Sequence, residues 1–233
     1  MITLPGNIMA NSSYPNIEFV LLDYNSSDNL GQWIRRKLYD YIESGKLVYY
    51  RTEEPKYYSM AHSRNIAFKL ATGDIVNNVD ADNFTYDGTP VSLSFADWIN
   101  KQAEANPTKT VFAKTKQVTI MHGRIGFYRS DFINELGGYD ENLKGYGFDD
   151  QDLVQRALKL GFKMVKWGGS YFYRIQTPSE KKGANLLEDW DKTRRENREL
   201  SCKNLAEGNY KANVGREWGK AVLIKNFKER VVL

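Results

Sequence analysis

Cysteine and histidine are scarce in this chain of 233 residues, which contains one Cys and two His. The single cysteine, Cys202, excludes an intrachain disulfide and any metal site built from several thiolates, and it favours a reducing compartment. The histidines, His62 and His122, do not have the spacing of a zinc-ligand pair, and the sequence shows no Gly-rich phosphate loop, Cys–His pair or serine elbow. These absences argue against zinc enzymes and against hydrolases with a catalytic triad.

Long apolar runs and dense basic stretches are missing as well. No run approaches the roughly 18 apolar residues of a membrane-spanning helix, and residues 1–20 lack the basic start and apolar core of a signal peptide. No stripe of Lys and Arg with interleaved aromatics is present, so a nucleic acid is not expected as a partner. We therefore expect a soluble, cytoplasmic protein. Its net charge of +4 suits an anionic ligand such as a nucleotide diphosphate, or peripheral contact with the acidic inner face of a membrane.

Hydrophobic periodicity predicts an α/β fold. Apolar runs predict strands over residues 17–25, 46–52 and 74–80, and amphipathic patterns predict helices over 30–44 and 59–73. Strand, helix, strand, helix and strand within one short stretch are typical of βαβ units and a parallel sheet.

The remaining sequence has weaker patterns. Residues 1–16 are rich in Asn, Ser, Gly and Pro and predict a loop. A polar helix (about 91–105), three short strands (KTVFAKT, KQVTIM and RIGFYRS) and a clear helix within 145–162 follow. We expect one domain over residues 1–175 and a charged helical extension over 176–233 packed on it. The basic end of that extension predicts a terminal helix, packed on the domain or docked on an acidic membrane or partner.

Two carboxylates, Asp80 and Asp82, follow the third predicted strand, with the small Ala81 between them. In open α/β sheets the ligand crevice lies beyond the carboxyl ends of the strands. Two carboxylates there can share Mg²⁺ or Mn²⁺, and the cation would bridge to phosphate oxygens. The same string also fits a turn in which Asp and Asn side chains bond nearby backbone groups. This stretch alone leaves both interpretations open.

A second acidic cluster opens the helix within 145–162. Asp149, Asp150 and Asp152 follow a loop of glycines and aromatics, GYGF. Acidic residues at a helix N-terminus cap free amides and complement the helix dipole. A carboxylate at such a loop can instead serve as general base towards a sugar hydroxyl. The residues by themselves do not decide between capping and catalysis.

Two further side chains are candidates for ligand binding. Asp23 lies at the end of the first predicted strand, where its carboxylate could accept hydrogen bonds from a nucleobase. Arg64 lies near the start of a predicted helix, where it could approach a phosphate. The sequence is equally consistent with Arg64 lying on a solvent-exposed face of the helix without a role in binding.

Three segments together resemble the nucleotide-sugar-dependent glycosyltransferases of the GT-A fold, in particular family-2-like enzymes. They are YPNIEFVLLDYNSSDN, HSRNIAFKLATGDIVNNVDADN and RIGFYRSDFINELGGYDENLKGYGFDDQDLVQRALKLGF, and they span about residues 14–167. The last one is similar to the carboxy-terminal motif of galactosyl- and N-acetylgalactosaminyltransferases. The resemblance implies a Rossmann-like, mostly parallel sheet flanked by helices. The usual first strand of that fold is missing before the strand at 17–25.

The resemblance also implies a role for each candidate residue. Asp82 would bind Mn²⁺ or Mg²⁺ on the diphosphate of the donor, and Asp80 would contact the metal or the ribose. Asp23 would hold uracil or an equivalent base, and Arg64 would lie near the nucleotide.

The acidic helix would supply the chemistry of transfer. Asp150 would be the catalytic base that deprotonates the acceptor hydroxyl for in-line attack, which predicts inversion at the anomeric carbon. Asp149, Tyr146 and Gly147 would bind the acceptor or donor sugar.

The implied function is transfer of a hexose or N-acetylhexosamine from a nucleotide sugar, UDP-linked above all, to a hydroxyl of a carbohydrate or other acceptor, as in polysaccharide biosynthesis. Related galactosyltransferases carry a metal-binding His after the acidic helix, which this sequence lacks; Asn185, Glu188, Asp189 or water would take its place. A GT-A relative without catalytic activity, binding carbohydrate or a protein partner, is the alternative that the missing strand motivates. A nucleotidyltransferase is the third.

Overall fold

The structure is a computed structural model that describes residues 2–86, 93–113, 124–167, 171–175 and 186–233. Its strands are β1 (Phe19–Tyr24), β2 (Leu47–Thr52), β3 (Ile75–Asn77), β4 (Asn83–Phe84), β5 (Thr110–Ala113), β6 (Ile125–Tyr128), β7 (Lys163–Lys166), β8 (Tyr173–Arg174), β9 (Val222–Lys225) and β10 (Glu229–Val232). Its helices are α1 (Thr3–Ala10), α2 (Leu30–Lys37), α3 (Tyr39–Glu43), α4 (Met60–Leu70), α5 (Phe95–Ala105), α6 (Arg129–Asn134), α7 (Asp149–Lys159) and α8 (Trp190–Ala206). The strand predicted for KQVTIM lies outside the described residues.

The strands form mixed sheets. One has the order β1-β2-β9-β10, a second β3-β6-β5-β7, and β4 pairs with β8. β1 and β2 are parallel, with Phe19 opposite Leu47, as the first predicted βαβ unit requires. β5 and β7 are also parallel, but the other described pairs are antiparallel. The α/β prediction is therefore confirmed, while the pairing is mixed, because β6 and the hairpin β9–β10 run against their neighbours.

Helix α4 joins the two larger sheets. Ile66 and Leu70 pack with buried residues of the β1-β2-β9-β10 sheet, including Leu223. Ala61 and Phe68 point into the larger core, which surrounds β5 and β6. Each fully buried side chain of this size contributes about 1.5–3 kcal/mol. Burial of α4 on two sides fixes its N-terminal end, which carries Arg64, relative to both sheets.

The N-terminal segment is a helix and not the predicted loop. Its asparagines are buried anchors: Nδ2 of Asn7 donates to the carbonyl of Asn83 at 2.9 Å, and Nδ2 of Asn11 donates to Oγ1 of Thr85 at 2.8 Å. Pro5 lies in the first turn of α1, where a backbone N–H would have no acceptor within the helix, so proline costs no hydrogen bond there. Composition suggested a loop because these tertiary hydrogen bonds leave no local pattern.

The C-terminal segment corrects a second prediction. α8 is helical, but the basic end forms the hairpin β9–β10 instead of a terminal helix, and Ile224 of β9 pairs with Arg51 of β2. Asn226 and Phe227 both have positive φ, the backbone that a tight hairpin turn requires. Oδ1 of Asn226 also accepts from the backbone N–H of Tyr49 at 2.9 Å. The domain boundary at residue 175 stays a prediction. None of the helices in the described ranges is long and apolar enough to cross a membrane.

Candidate active site

A tight turn carries Asp80 and Asp82 from β3 to β4. The backbone N–H of Asn83 donates to the carbonyl of Asp80 at 2.9 Å. Oγ1 of Thr3 donates to the carbonyl of Ala81 at 2.7 Å, so helix α1 supports the turn from below. The side chains of Asp80 and Asp82 keep 33% and 29% of their surface exposed, so both carboxylates can meet a ligand.

The acidic helix α7 begins after a strained loop. Gly147 has φ +92°, and a Cβ there would lie 3.0 Å from Cγ of Arg194. Its carbonyl accepts from Nδ2 of Asn197 on α8 at 2.8 Å. Phe148 follows in the left-handed region, and its side chain gives the helix no cap. The glycine thus permits α8 to clamp the loop that aims Asp149 and Asp150.

Tyr146 belongs to the same loop and is half-buried. Its ring meets Trp190 edge-on, with centroids 6.1 Å apart, and its carbonyl accepts from Oγ1 of Thr193 at 3.2 Å. Aromatic rings are well suited to pack against the apolar face of a ligand. The sugar-binding roles of Tyr146 and Gly147 remain predictions that are consistent with this position.

Arg64 connects the turn to the acidic helix. Its Nη1 donates to a carboxylate oxygen of Asp149 and to Oδ1 of Asp150 at 2.7 Å, and its Nη2 donates to Oδ1 of Asp80 at 3.2 Å. Arg64 is only 6% exposed. Burial opposes its charge, but the carboxylates, Asp149 first, outweigh that effect and raise the pKa of Arg64 well above its ordinary value. Its guanidinium is therefore a permanent cation shared by three of the predicted site residues.

The nucleotide-binding role expected of Arg64 stays a prediction. The predicted contact with nucleotide phosphate has no support in the geometry, because the carboxylates surround a guanidinium that is almost fully buried. The solvated helix face is wrong for the same reason. What Arg64 does is neutralise like charges and hold them in one place.

The third acid of the helix has a separate task. Asp152 is fully buried and accepts from Nε of Arg156 at 2.7 Å and from Oγ of Ser201 at 2.8 Å. It fixes α7 to α8 and does not face the other carboxylates. The acidic cluster is thus divided, with Asp149 and Asp150 in the site and Asp152 in the core.

Asp23 is not open to a ligand in this structure. Its side chain has no exposed surface. One oxygen accepts from the N–H of Ser26 at 2.8 Å, and the other from the hydroxyl of Tyr49 and Nη1 of Arg51, both at 2.7 Å. Burial opposes ionisation of Asp23, but these hydrogen bonds outweigh it and lower its pKa. The base-binding role predicted for Asp23 finds no support here; the carboxylate ties β1 to β2.

Two arginines that sequence reasoning missed lie at the site. Nε of Arg174 is 3.1 Å from Oδ2 of Asp82, and the neighbouring Ile175 donates its N–H to the carbonyl of Asp82 at 2.8 Å. Arg124 precedes β6, is 9% exposed, and interacts electrostatically with Asp80, Asp82 and Asp150. Both are single basic residues without a motif, so no sequence signal distinguishes them from ordinary surface arginines.

The two carboxylates of the turn have the chemistry of a site for a hard divalent cation. The described residues contain no group of three or more His, Cys, Asp or Glu side chains that could enclose a metal. Mg²⁺ commonly uses only one or two carboxylates, with phosphate oxygens and water completing its shell. Asp80 and Asp82 fit that mode of binding.

The other ligands predicted from the sequence do not join them in the described ranges. Asp189 caps α8 through its bonds to the N–H groups of Asp191 and Lys192, and Glu188 pairs with Lys192 at 2.7 Å. Asn185 lies outside the described residues.

Comparison with known proteins gives two consecutive family matches. A model described as "Glycosyltransferase like family 2" matches residues 5–116, and one described as "N-terminal domain of galactosyltransferase" matches residues 110–178. The first contains Arg64, Asp80 and Asp82, and the second contains Asp149 and Asp150. No curated protein matches the chain.

One solved structure supports the fold. TarS of S. aureus aligns with a TM-score of 0.55 and 16% identity over 81% of this chain, which spans 38% of the TarS chain. A mutant of Drosophila beta-1,4-galactosyltransferase 7 in complex with manganese, UDP-Gal and xylobiose aligns with a TM-score of 0.42 and 14% identity, covering 76% of this chain and 80% of that one. The two family matches agree with the geometry of the site: the chain has the GT-A fold, residues 5–116 are similar to the family-2-like glycosyltransferases, and residues 110–178, which carry the acidic motif, are similar to a galactosyltransferase domain.

Proposed function

We propose that this chain transfers a hexose or N-acetylhexosamine from a UDP-sugar to a hydroxyl group of a carbohydrate or other acceptor, with inversion. The observation that carries the proposal is the meeting of Asp80, Asp149 and Asp150 on the single guanidinium of Arg64. It unites a turn suited to a diphosphate-bound cation with a helix suited to general-base catalysis, and these come from the two matched family regions.

In this mechanism Asp150 accepts the proton of the acceptor hydroxyl while the oxygen attacks the anomeric carbon. Its side chain is 12% exposed, and its Oδ1 is held by Arg64, which leaves the carboxylate fixed in orientation. Attack on the face opposite to the leaving diphosphate gives inversion.

Asp80 and Asp82 would hold Mg²⁺ or Mn²⁺ on the donor. When bound there, the cation supplies a Lewis acid for the charge that develops on the departing diphosphate. Titration of the protein with Mg²⁺ and with Mn²⁺ decides which of the two metals the site binds more tightly.

A donor screen tests the function. The protein is incubated with a panel of UDP-sugars, Mn²⁺ or Mg²⁺ and simple sugar acceptors, and UDP release is measured. Asp150→Asn and Asp82→Asn should each lower the rate by about a hundredfold or more, because one removes the base and the other a cation ligand. Asp191→Asn, whose side chain is 47% exposed on α8, is the matched control and should leave the rate unchanged. If no donor releases UDP, or if Asp150→Asn is as active as the wild type, the proposal fails.

A carbohydrate-binding domain without catalysis is the second candidate. The observation that favours it is the closed environment of Asp23, the residue predicted to hold the nucleobase, whose side chain has no exposed surface and is bonded to Tyr49 and Arg51. Binding of oligosaccharides without thermal stabilisation by UDP, and without UDP release from any donor, would identify this second function.

A further inference from the structure

Arg124 is a buried cation without a counter-ion in the described part of the chain. It is 9% exposed, and its Nε is buried without a hydrogen-bond partner. Among the described residues no carboxylate forms an ion pair with Arg124. The carboxylates of the site pair with Arg64 and Arg174 instead. A charge in that state is unfavourable because it has lost hydration, and an anion that joins it removes this penalty.

The surroundings of Arg124 show where that anion would lie. Asp80, Asp82 and Asp150 attract its charge from beyond ion-pair distance, and Arg174 repels it. Burial exceeds this attraction, so the pKa of Arg124 is lowered. The nearby carboxylates are already bound elsewhere: Asp80 and Asp150 by Arg64, and Asp82 by Arg174. Arg124 is thus a cation beside the turn that pairs with no carboxylate of the described residues, and Arg174 is another that pairs with Asp82 through its Nε.

We propose that Arg124, together with Arg174, forms the subsite that binds the diphosphate of the donor. A guanidinium presents a planar fork of N–H donors that matches phosphate oxygens. Arg174 is suited to complete the subsite, since its side chain is 41% exposed and only its Nε is bonded to Asp82. The inference rests on the proposed function for the identity of the donor, and it names two binding residues that no motif indicates.

Titration calorimetry with UDP and with uridine tests Arg124 directly. Arg124→Met should weaken UDP binding by about ten- to a hundredfold, the loss of one or two charge-assisted hydrogen bonds. Affinity for uridine, which lacks phosphate, should stay within about twofold. Arg129→Met is the matched control, because Arg129 also has a buried Nε without a partner but bonds the carbonyl of Lys69 at 3.0 Å, away from the carboxylates. It should bind UDP like the wild type.

Thermal melting of the ligand-free variants separates binding from a structural role. Removing an uncompensated buried charge should leave the melting temperature of Arg124→Met equal to or above that of the wild type. The inference is overturned if Arg124→Met binds UDP normally, if uridine binding falls equally, or if the ligand-free variant melts well below the wild type.

Inorganic pyrophosphate distinguishes this inference from the proposed function. If the wild type binds pyrophosphate in an Arg124-dependent way but releases UDP from no donor, the transferase proposal fails and the subsite stands. If it binds neither UDP nor pyrophosphate, the subsite is overturned.

Discussion

Nη1 of Arg64 lies 2.7 Å from Oδ1 of Asp150, although the two residues are 86 positions apart in the sequence. The same side chain reaches Asp80 through its other terminal nitrogen at 3.2 Å. One guanidinium therefore sets the relative position of the turn and the acidic helix. Without it, buried carboxylates would face one another with no cation between them.

Arg64→Met should lower the free energy of unfolding by about 3–5 kcal/mol, because it breaks a buried ion-pair cluster and leaves the carboxylates uncompensated. Urea denaturation at pH 7 measures the change. Arg198→Met, at an exposed position on α8, is the control and should change stability by less than about 0.5 kcal/mol. Equal stability of Arg64→Met and the wild type would contradict the role assigned to Arg64.

Arg174→Gln should strengthen Mn²⁺ binding to the nucleotide-free protein by a fewfold. The guanidinium competes with a cation for Asp82, and a partly exposed pair of this kind is worth about 0–1 kcal/mol. Calorimetric titration of Mn²⁺ checks the prediction. Arg195→Gln, whose side chain is 70% exposed and lies 3.9 Å from Asp191 on the same helix, is the control. Weaker Mn²⁺ binding by Arg174→Gln would show that Arg174 does not compete with the metal.

Asp23 should make stability depend on acidity. Because its pKa is lowered by folding, its contribution is present above the ordinary carboxyl pKa of about 3.9 and is lost as pH falls through the lower folded value. Asp23→Asn should cost about 1–3 kcal/mol at pH 7. That difference from the wild type should shrink below about pH 4.

Urea denaturation across a pH series measures the effect of Asp23. Asp40→Asn, at an exposed position in α3, serves as the control and should show no such narrowing. A difference between Asp23→Asn and the wild type that stays constant down to acid pH would refute the assignment.

The hairpin β9–β10 should be part of the folded core. Leu223 is 1% exposed and packs with Tyr50 and Ile66, so Leu223→Ala should cost about 2–5 kcal/mol. Val232→Ala, at a position that is 60% exposed, should cost far less. Thermal or urea unfolding compares the two, and similar small costs would mean that the hairpin is not packed as described.

The sequence pattern predicted those strands and helices whose apolar residues recur at regular spacing. The strand ending at Asp23 and the helices around Arg64 and Asp150 follow from apolar periodicity, and the position of Asp80 after a strand indicated the ligand edge of a sheet. The use of each side chain did not follow, because it depends on partners far away in sequence. The carboxylate of Asp23 accepts hydrogen bonds from Tyr49 and Arg51, and the sequence pattern around Asp23 does not reveal these partners.

The elements at the ends of the chain were hidden for a related reason. In α1, the buried side chains of Asn7 and Asn11 donate hydrogen bonds to Asn83 and Thr85. Asparagine is common in loops, so without knowledge of these partners the composition suggests a loop. In β9, a strand with Lys at its end resembles a basic helix unless its pairing with β2 is known. Arg124 and Arg174 acquire meaning only when the fold brings them to the carboxylates.

The pairing of β9 with β2 also has a kinetic consequence. Tyr49 and Asn226 are 177 positions apart, so this edge of the sheet closes only after most of the chain has been synthesised. Until then β2 presents unpaired backbone groups, which other chains can extend into aggregates. Because closing such long loops slows folding, we expect the nascent protein to have a prolonged requirement for chaperones.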